Sequence, residues 1–297
     1  MLWIGLQKFK KLRFTKVLIF AAFCIFLLMA GCSTTNHAPL ATMYYHDITG
    51  HYNAYFNANE KMKGVYAAMD KSHKDNYKQV LSLYTYSNPK EANGVTGDLD
   101  DVIKRLTKSV QIHKVSNWAD DDFLMMGRAN YIKGNYDKAL AFFKYTTTEY
   151  KNGVDYVKEM KKLGKIAKPT LKKKPVVKPK FVQVKDKKGY TSLNKIDQRP
   201  SYTLMIHEPA RAEALIWLAR TYSAQKKYTE ASAVIQLMRS DDKFYTNLDK
   251  YVELTEAENM MNQKDYIDAI KPLEKFLTMT KKKSERVRPV FILAQIY

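Results

Sequence analysis

DDDFLMMGRANYIKGNYDKALAFFKYTTTEY, residues Asp120 to Tyr150, is the stretch whose reading decides the fold. Phe123, Met126, Gly127 and Tyr131 recur at helical spacing, Gly134 breaks the run, and Tyr136, Ala139 and Phe143 resume it. This is the pattern of two short helices folded back on one another. Two later stretches carry it again. In EALIWLARTYSAQKKYTEASAVIQLM the equivalents are Leu215, Leu218, Ala219, Tyr222, Tyr228, Ala231 and Ile235. In ELTEAENMMNQKDYIDAIKPLEKFL they are Ala257, Tyr266, Ala269, Leu273 and Phe276.

Small and aromatic residues at fixed offsets and a period near 34 are the marks of tetratricopeptide-like hairpins. Gly127, Ala219 and Ala257 are placed where the first helix of each hairpin nears a neighbour. Ala139, Ala231 and Ala269 are placed where the second helix crosses it, so a larger side chain would push the pair apart. Ala219 to Ala257 is 38 residues and Ala257 to Ala294 is 37, which predicts slightly extended helices or turns. The expected class is all-α, a helical-hairpin solenoid with a long basic loop inserted between repeats.

That loop separates Gly127 from Ala219 by 92 residues. Residues 151–200 hold sixteen Lys or Arg against Asp155, Glu159, Asp186 and Asp197, a balance of +12. Pro169, Pro175 and Pro179 interrupt helix and the lysines repel one another, so residues 158–205 are expected to be a disordered insertion. Lys172, Lys173, Lys174, Lys178 and Lys180 are its candidate partner-binding residues. Basic chains first suggest nucleic acid. The other end of the chain argues against it.

Residues 1–31 read as a lipoprotein signal: Lys8, Lys10, Lys11, Arg13 and Lys16, then the apolar run VLIFAAFCIFLLMAGC from Val17 to Cys32. The run is short for a membrane span of ~20 residues, and Met29-Ala30-Gly31 places small residues before Cys32. Cys32 is therefore the expected lipidation site, bearing covalent diacylglycerol and acyl chains as the only added group. Ser33 in place of an acid points to the periplasmic face of the outer membrane rather than the inner one. Cys24 falls in the signal, so the mature chain has no disulfide to form. Phosphates within reach there belong to lipid headgroups, and peptidoglycan and proteins are the other acidic targets.

Residues 32–43 read as a tether. Within 44–97, Tyr45, Ile48, Tyr52, Tyr55, Phe56, Met62, Val65, Tyr66 and Met69 predict helix, with the aromatics facing the core. Thr96-Gly97-Asp98 opens another, and 98–157 holds that helix and the first repeat. Residues 206–280 hold the second and third repeats. Phe291, Leu293, Ala294 and Tyr297 begin a fourth within 281–297.

No catalytic arrangement stands out: there is no phosphate loop, nucleophile elbow or Cys-His pair. His46 and His51, five apart, lie about 140° apart around a helix and predict no metal, so each is read as capped or solvent-facing. Asp120, Asp121 and Asp122 are read as a favourable helix start with no further role.

HDITGHYNAYFNANEKMKG, His46 to Gly64, resembles the start of the mature SprE/PorW family, tetratricopeptide lipoproteins of the type IX secretion and gliding-motility machinery. The specific part is Tyr52-Asn53-Ala54-Tyr55-Phe56-Asn57, with Glu60 after it. The resemblance runs on through DDVIKRLTKSVQIH, Trp118 and Pro209 to Arg220. It implies a non-catalytic lipoprotein with protein components of that machinery as partners, and no catalytic or metal residues. It also implies a longer array, so this chain is expected to be an amino-terminal fragment whose last helix lacks a partner and frays.

Overall fold

A computed structural model describes residues 40–150, 210–241 and 248–297. The chain is an all-α solenoid of helical hairpins, and no strand occurs among the described residues. It begins with α1 (Leu40–Thr49), a π-helical turn (Gly50–Tyr55) and α2 (Phe56–Ser72) in one continuous rod. After an irregular stretch and a short 3-10 turn (Pro89–Val95) comes α3 (Thr96–Ile112). Three hairpins follow: α4 (Ala119–Ile132) with α5 (Tyr136–Glu149), α6 (Arg211–Ala224) with α7 (Tyr228–Ser240), and α8 (Asp249–Asn262) with α9 (Tyr266–Met279). The last helix is α10 (Lys283–Ile296). Cys32, the basic loop and its five lysines lie outside the described residues.

Stacking passes straight over the long insertion, because α5 packs directly on α6. At that junction the Asp120 carboxylate accepts the Ala210 amide at 2.7 Å. This corrects the reading of Asp120, Asp121 and Asp122. They lie inside the first turn of α4, all three are buried, and burial pushes the Asp122 carboxyl well up, with Ser109 and its acid neighbours acting on it as lesser influences.

Gly127 shows why a hairpin needs small residues. A Cβ there would stand 2.4 Å from the ring of Phe143, so only hydrogen fits. Where Ala219 and Ala257 stand instead, the position equivalent to Phe143 carries the narrower Ile235 and Leu273. Ala139, Ala219, Ala231, Ala257 and Ala269 are fully buried.

Each hairpin turns through the same cap. Asn135 N–H reaches Asn130 C=O and Gly134 N–H reaches Tyr131 C=O, a Schellman arrangement. Lys227 to Tyr222 with Lys226 to Ser223 repeats it, as does Asp265 to Met260 with Lys264 to Met261. Such a cap requires a left-handed residue: φ is 77° at Gly134, 62° at Lys226 and 66° at Lys264. Only the first of the three is glycine.

Two expectations for the amino-terminal region change. Leu40, the first described residue, is already helical although it lies inside the expected tether, and residues 73–88 form no helix. The π turn also rotates the aromatic stripe. Asp47, Gly50 and Tyr55 face inward, Ile48 is half-buried, and Tyr45, Tyr52 and Phe56 are exposed. At Gly50 the rod packs on the α3–α4 connection: a Cβ there would stand at ordinary contact distance, 3.4 Å from Ser116 Oγ and 3.7 Å from His113. Asp47, beside it, accepts from Ser116 Oγ and from the amide and side chain of Asn117.

The shared cap yields a test. Lys226→Gly or Lys264→Gly should raise stability in urea melts by about 0.5–1 kcal/mol by removing left-handed strain. Gly134→Lys should lower it by more, because a Cβ there also meets Pro89 at 2.9 Å. Equal effects at all three sites would contradict the reading.

Candidate functional site

The first helices of the three hairpins differ from the second ones in burial. α5, α7 and α9 each bury one stripe, whereas α4, α6 and α8 are covered on nearly every side. Part of the cover is the partner helix. The rest is the chain's own amino-terminal region, laid along the face that the first helices form.

Four side chains line that face, one from each successive first helix, and three of them bind the amino-terminal region directly while Glu258 pairs with Arg220. Each directly follows the small residue of its repeat: Arg128 after Gly127, Arg220 after Ala219, Glu258 after Ala257 and Gln295 after Ala294. Arg128 donates to the Tyr66 hydroxyl of α2 through Nε at 3.3 Å and Nη2 at 3.2 Å. Arg220 donates to Glu258 through Nε at 2.7 Å and Nη2 at 3.2 Å, and through Nη1 to Tyr86 Oη at 3.2 Å. Gln295 reads main chain, accepting the Leu81 amide and donating to the Gln79 carbonyl, each at 3.0 Å.

Residues 73–88 thus form a strap that runs down the groove from α2 to α10 and back toward the first repeat. Arg288 of α10 fixes its far end, donating to the Ser82 carbonyl at 2.6 Å and to both oxygens of Asp75. His73 lies between Asp75 at 3.0 Å and Glu91 at 2.7 Å. Burial alone would raise the Asp75 carboxyl, but Arg288 and His73 hold it below its ordinary value. Leu81, Leu83, Tyr84 and Tyr86 are buried beneath. At about 1.5–3 kcal/mol per buried aliphatic side chain, Leu81 and Leu83 alone contribute roughly 3–6 kcal/mol of gross burial, against which the entropy of ordering the segment is set. The strap is therefore part of the core and not a loosely docked loop.

Arg220 is the centre of the groove. Its guanidinium is fully buried, 3.9 Å from the Tyr84 ring centroid and 4.3 Å from that of Trp217, with Tyr86 and Tyr131 further out. Burial works against its charge, but Glu258 and the surrounding phenol oxygens outweigh this and raise its pKa well above the ordinary value. Burial likewise pushes the Tyr84, Tyr86 and Tyr131 hydroxyls up, so they stay neutral donors and acceptors. Beside the strap, toward the hairpin turns, open cavities of about 570 and 230 Å³ share Ser82, Ser87, Met261 and Asn262 in their walls.

Sequence reading missed all four of these polar residues. Their signal is a polar or charged side chain repeated directly after each small position, but one sequence offers no partner to explain it. His46 and His51 are not simply capped or solvent-facing either. His46 Nδ1 meets His113 Nδ1 at 2.9 Å, and the His51 ring lies against Trp118 with centroids 4.0 Å apart. Among the described residues, no group of three or more His, Cys, Asp or Glu is placed to hold a metal ion, and no helix is long and apolar enough to cross a membrane.

The last helix is folded against α9 and tied to the strap by Arg288 and Gln295, interactions that oppose the fraying expected from its apolar pattern. Val287, Val290 and Phe291 of α10 are nevertheless exposed.

Comparison adds no identity: no protein-family model matches the chain, and no curated protein matches it.

Removing one partner of the central pair leaves a buried charge uncompensated. Glu258→Ala should cost about 3–5 kcal/mol, while Arg220→Met with Glu258→Leu should cost clearly less, because the double change removes both charges. Chemical denaturation of both variants checks this. A loss below about 1 kcal/mol for Glu258→Ala would show that the pair is not dry.

Proposed function

We propose that this chain is a non-catalytic scaffold for protein interaction, anchored by lipid on Cys32 to the periplasmic face of the outer membrane and serving type IX protein secretion and gliding motility. The observation that carries the reading is one sequence that joins a lipobox, Met29 to Cys32, to a solenoid of helical hairpins through the Tyr52-to-Asn57 motif. Helical-hairpin arrays offer extended surfaces to partners. In this chain the face formed by the first helices is covered by the strap, so partners from the secretion machinery dock on the second helices, on exposed ends of the array or on the basic insertion.

A second reading, envelope maintenance, is favoured by one observation, the +12 balance of residues 151–200. There the lysines, Lys172 to Lys174 foremost, bind peptidoglycan or anionic headgroups and the repeats only hold them.

Deletion separates the two. Loss of secretion of cargo bearing a type IX carboxy-terminal signal, with an intact envelope, is the expected outcome. Normal secretion with a leaky envelope would support the second reading and overturn the first. Cys32→Ala should in addition abolish acyl labelling and move the protein out of the outer-membrane fraction. Unchanged fractionation of a variant and parent that both lack label would remove the lipid anchor from the account.

A further inference from the structure

The face of α1, the π turn and the start of α2 that lies opposite the core is unlike the rest of the surface. Tyr44, Tyr45, Tyr52 and Phe56 are 48%, 61%, 47% and 47% exposed there. Between Ser33 and Asn59 the only Asp, Glu, Lys or Arg is Asp47, and it is buried against Ser116 and Asn117. In a chain that is 27% charged, a stretch of this length would ordinarily carry several such residues. The exposed polar residues among the rings, Asn53 and Asn57, are neutral.

We propose that Tyr44, Tyr45, Tyr52 and Phe56 are the surface with which this domain rests in the headgroup layer of the membrane that holds Cys32. The proposal rests on the lipid anchor of the preceding section. Tyrosine and phenylalanine suit that layer, where a ring meets acyl chain and a hydroxyl meets water, and the absence of charge spares the desolvation of an ion. Chain length selects the membrane as occupant. Seven residues, 33–39, lie between Cys32 and Leu40, the first described helical residue, and a chain of that length reaches at most about 29 Å. The start of α1 is therefore the part of the domain held nearest the acyl chains. The same end of the array carries exposed Ile112 and Lys114 on either side of His113, whose ring meets His46. That lysine adds attraction for anionic headgroups at the rim of the patch.

The test uses the acylated full chain reconstituted into phosphatidylethanolamine/phosphatidylglycerol vesicles, with and without brominated acyl chains. Phe56→Trp places a reporter in the patch, and Leu237→Trp places one at an exposed position of α7 in the second repeat. Trp118 and Trp217 are buried, so the parent protein supplies the background. Phe56→Trp should shift its emission to the blue and lose intensity only in brominated vesicles, while Leu237→Trp should do neither. If the protein floats with the vesicles and carries acyl label, yet Phe56→Trp is unquenched, the anchor stands and the lipid-facing patch is overturned, leaving that face to a partner protein. If there is neither label nor flotation, the anchor fails and this proposal fails with it.

Discussion

A guanidinium in a dry interior must be compensated from every direction at once, and Arg220 sets that requirement at the middle of this molecule. Glu258 supplies the opposite charge from the neighbouring repeat, Tyr86 accepts a third hydrogen bond, and the rings of Tyr84 and Trp217 lie against the cation. These groups come from three places in the chain: the strap, the second repeat and the third. Loss of the second or third repeat would strand a buried charge, and loss of the strap would leave Arg220 Nη1 without its acceptor and uncover the pair, which makes the centre of the groove a joint between all three.

The same logic extends along the array. Arg128, Arg220, Glu258 and Gln295 occupy one register position on successive first helices, and together they reach Tyr66, Tyr86, Tyr84 and the main chain from Gln79 to Leu81. A solenoid is ordinarily stabilised only by neighbour-to-neighbour contacts. Here a single strap touches the repeats in turn and adds contacts that span more than 200 positions of sequence, as in the 214 separating Leu81 from Gln295. Cooperativity between distant repeats follows. So does a functional consequence, because the first-helix face on which a helical array could grip an extended segment is taken by the chain's own.

The hairpins were legible because their constraints are local. Gly127 against Phe143 and the break at Gly134 involve residues at most a helix apart, so period and side-chain size betray them, whereas the left-handed caps at Lys226 and Lys264 carry no glycine to mark them. The strap was not legible. Leu81, Leu83, Tyr84 and Tyr86 are buried without helical period, since their partners lie on helices over a hundred residues later. Tyr45, Tyr52 and Phe56 misled for a related reason: a π turn shifts the register of an otherwise sound helical stripe, and Asp47 on its inner face is held by tertiary hydrogen bonds to Ser116 and Asn117, about 70 positions away. Cys32 and the lysines of the insertion belong to the sequence reading alone.

The account stands or falls on the strap being part of the folded core. Amide hydrogen exchange at Leu81 reads this directly, because an irregular segment bonded only through a side chain is protected only if that side chain and its helix hold it. Protection at Leu81 comparable to that of α6, lost in Gln295→Ala while α4 to α9 stay protected, is the result expected. Exchange from Leu81 to Tyr86 at the rate of a free peptide, in a protein whose repeats remain protected, would contradict it.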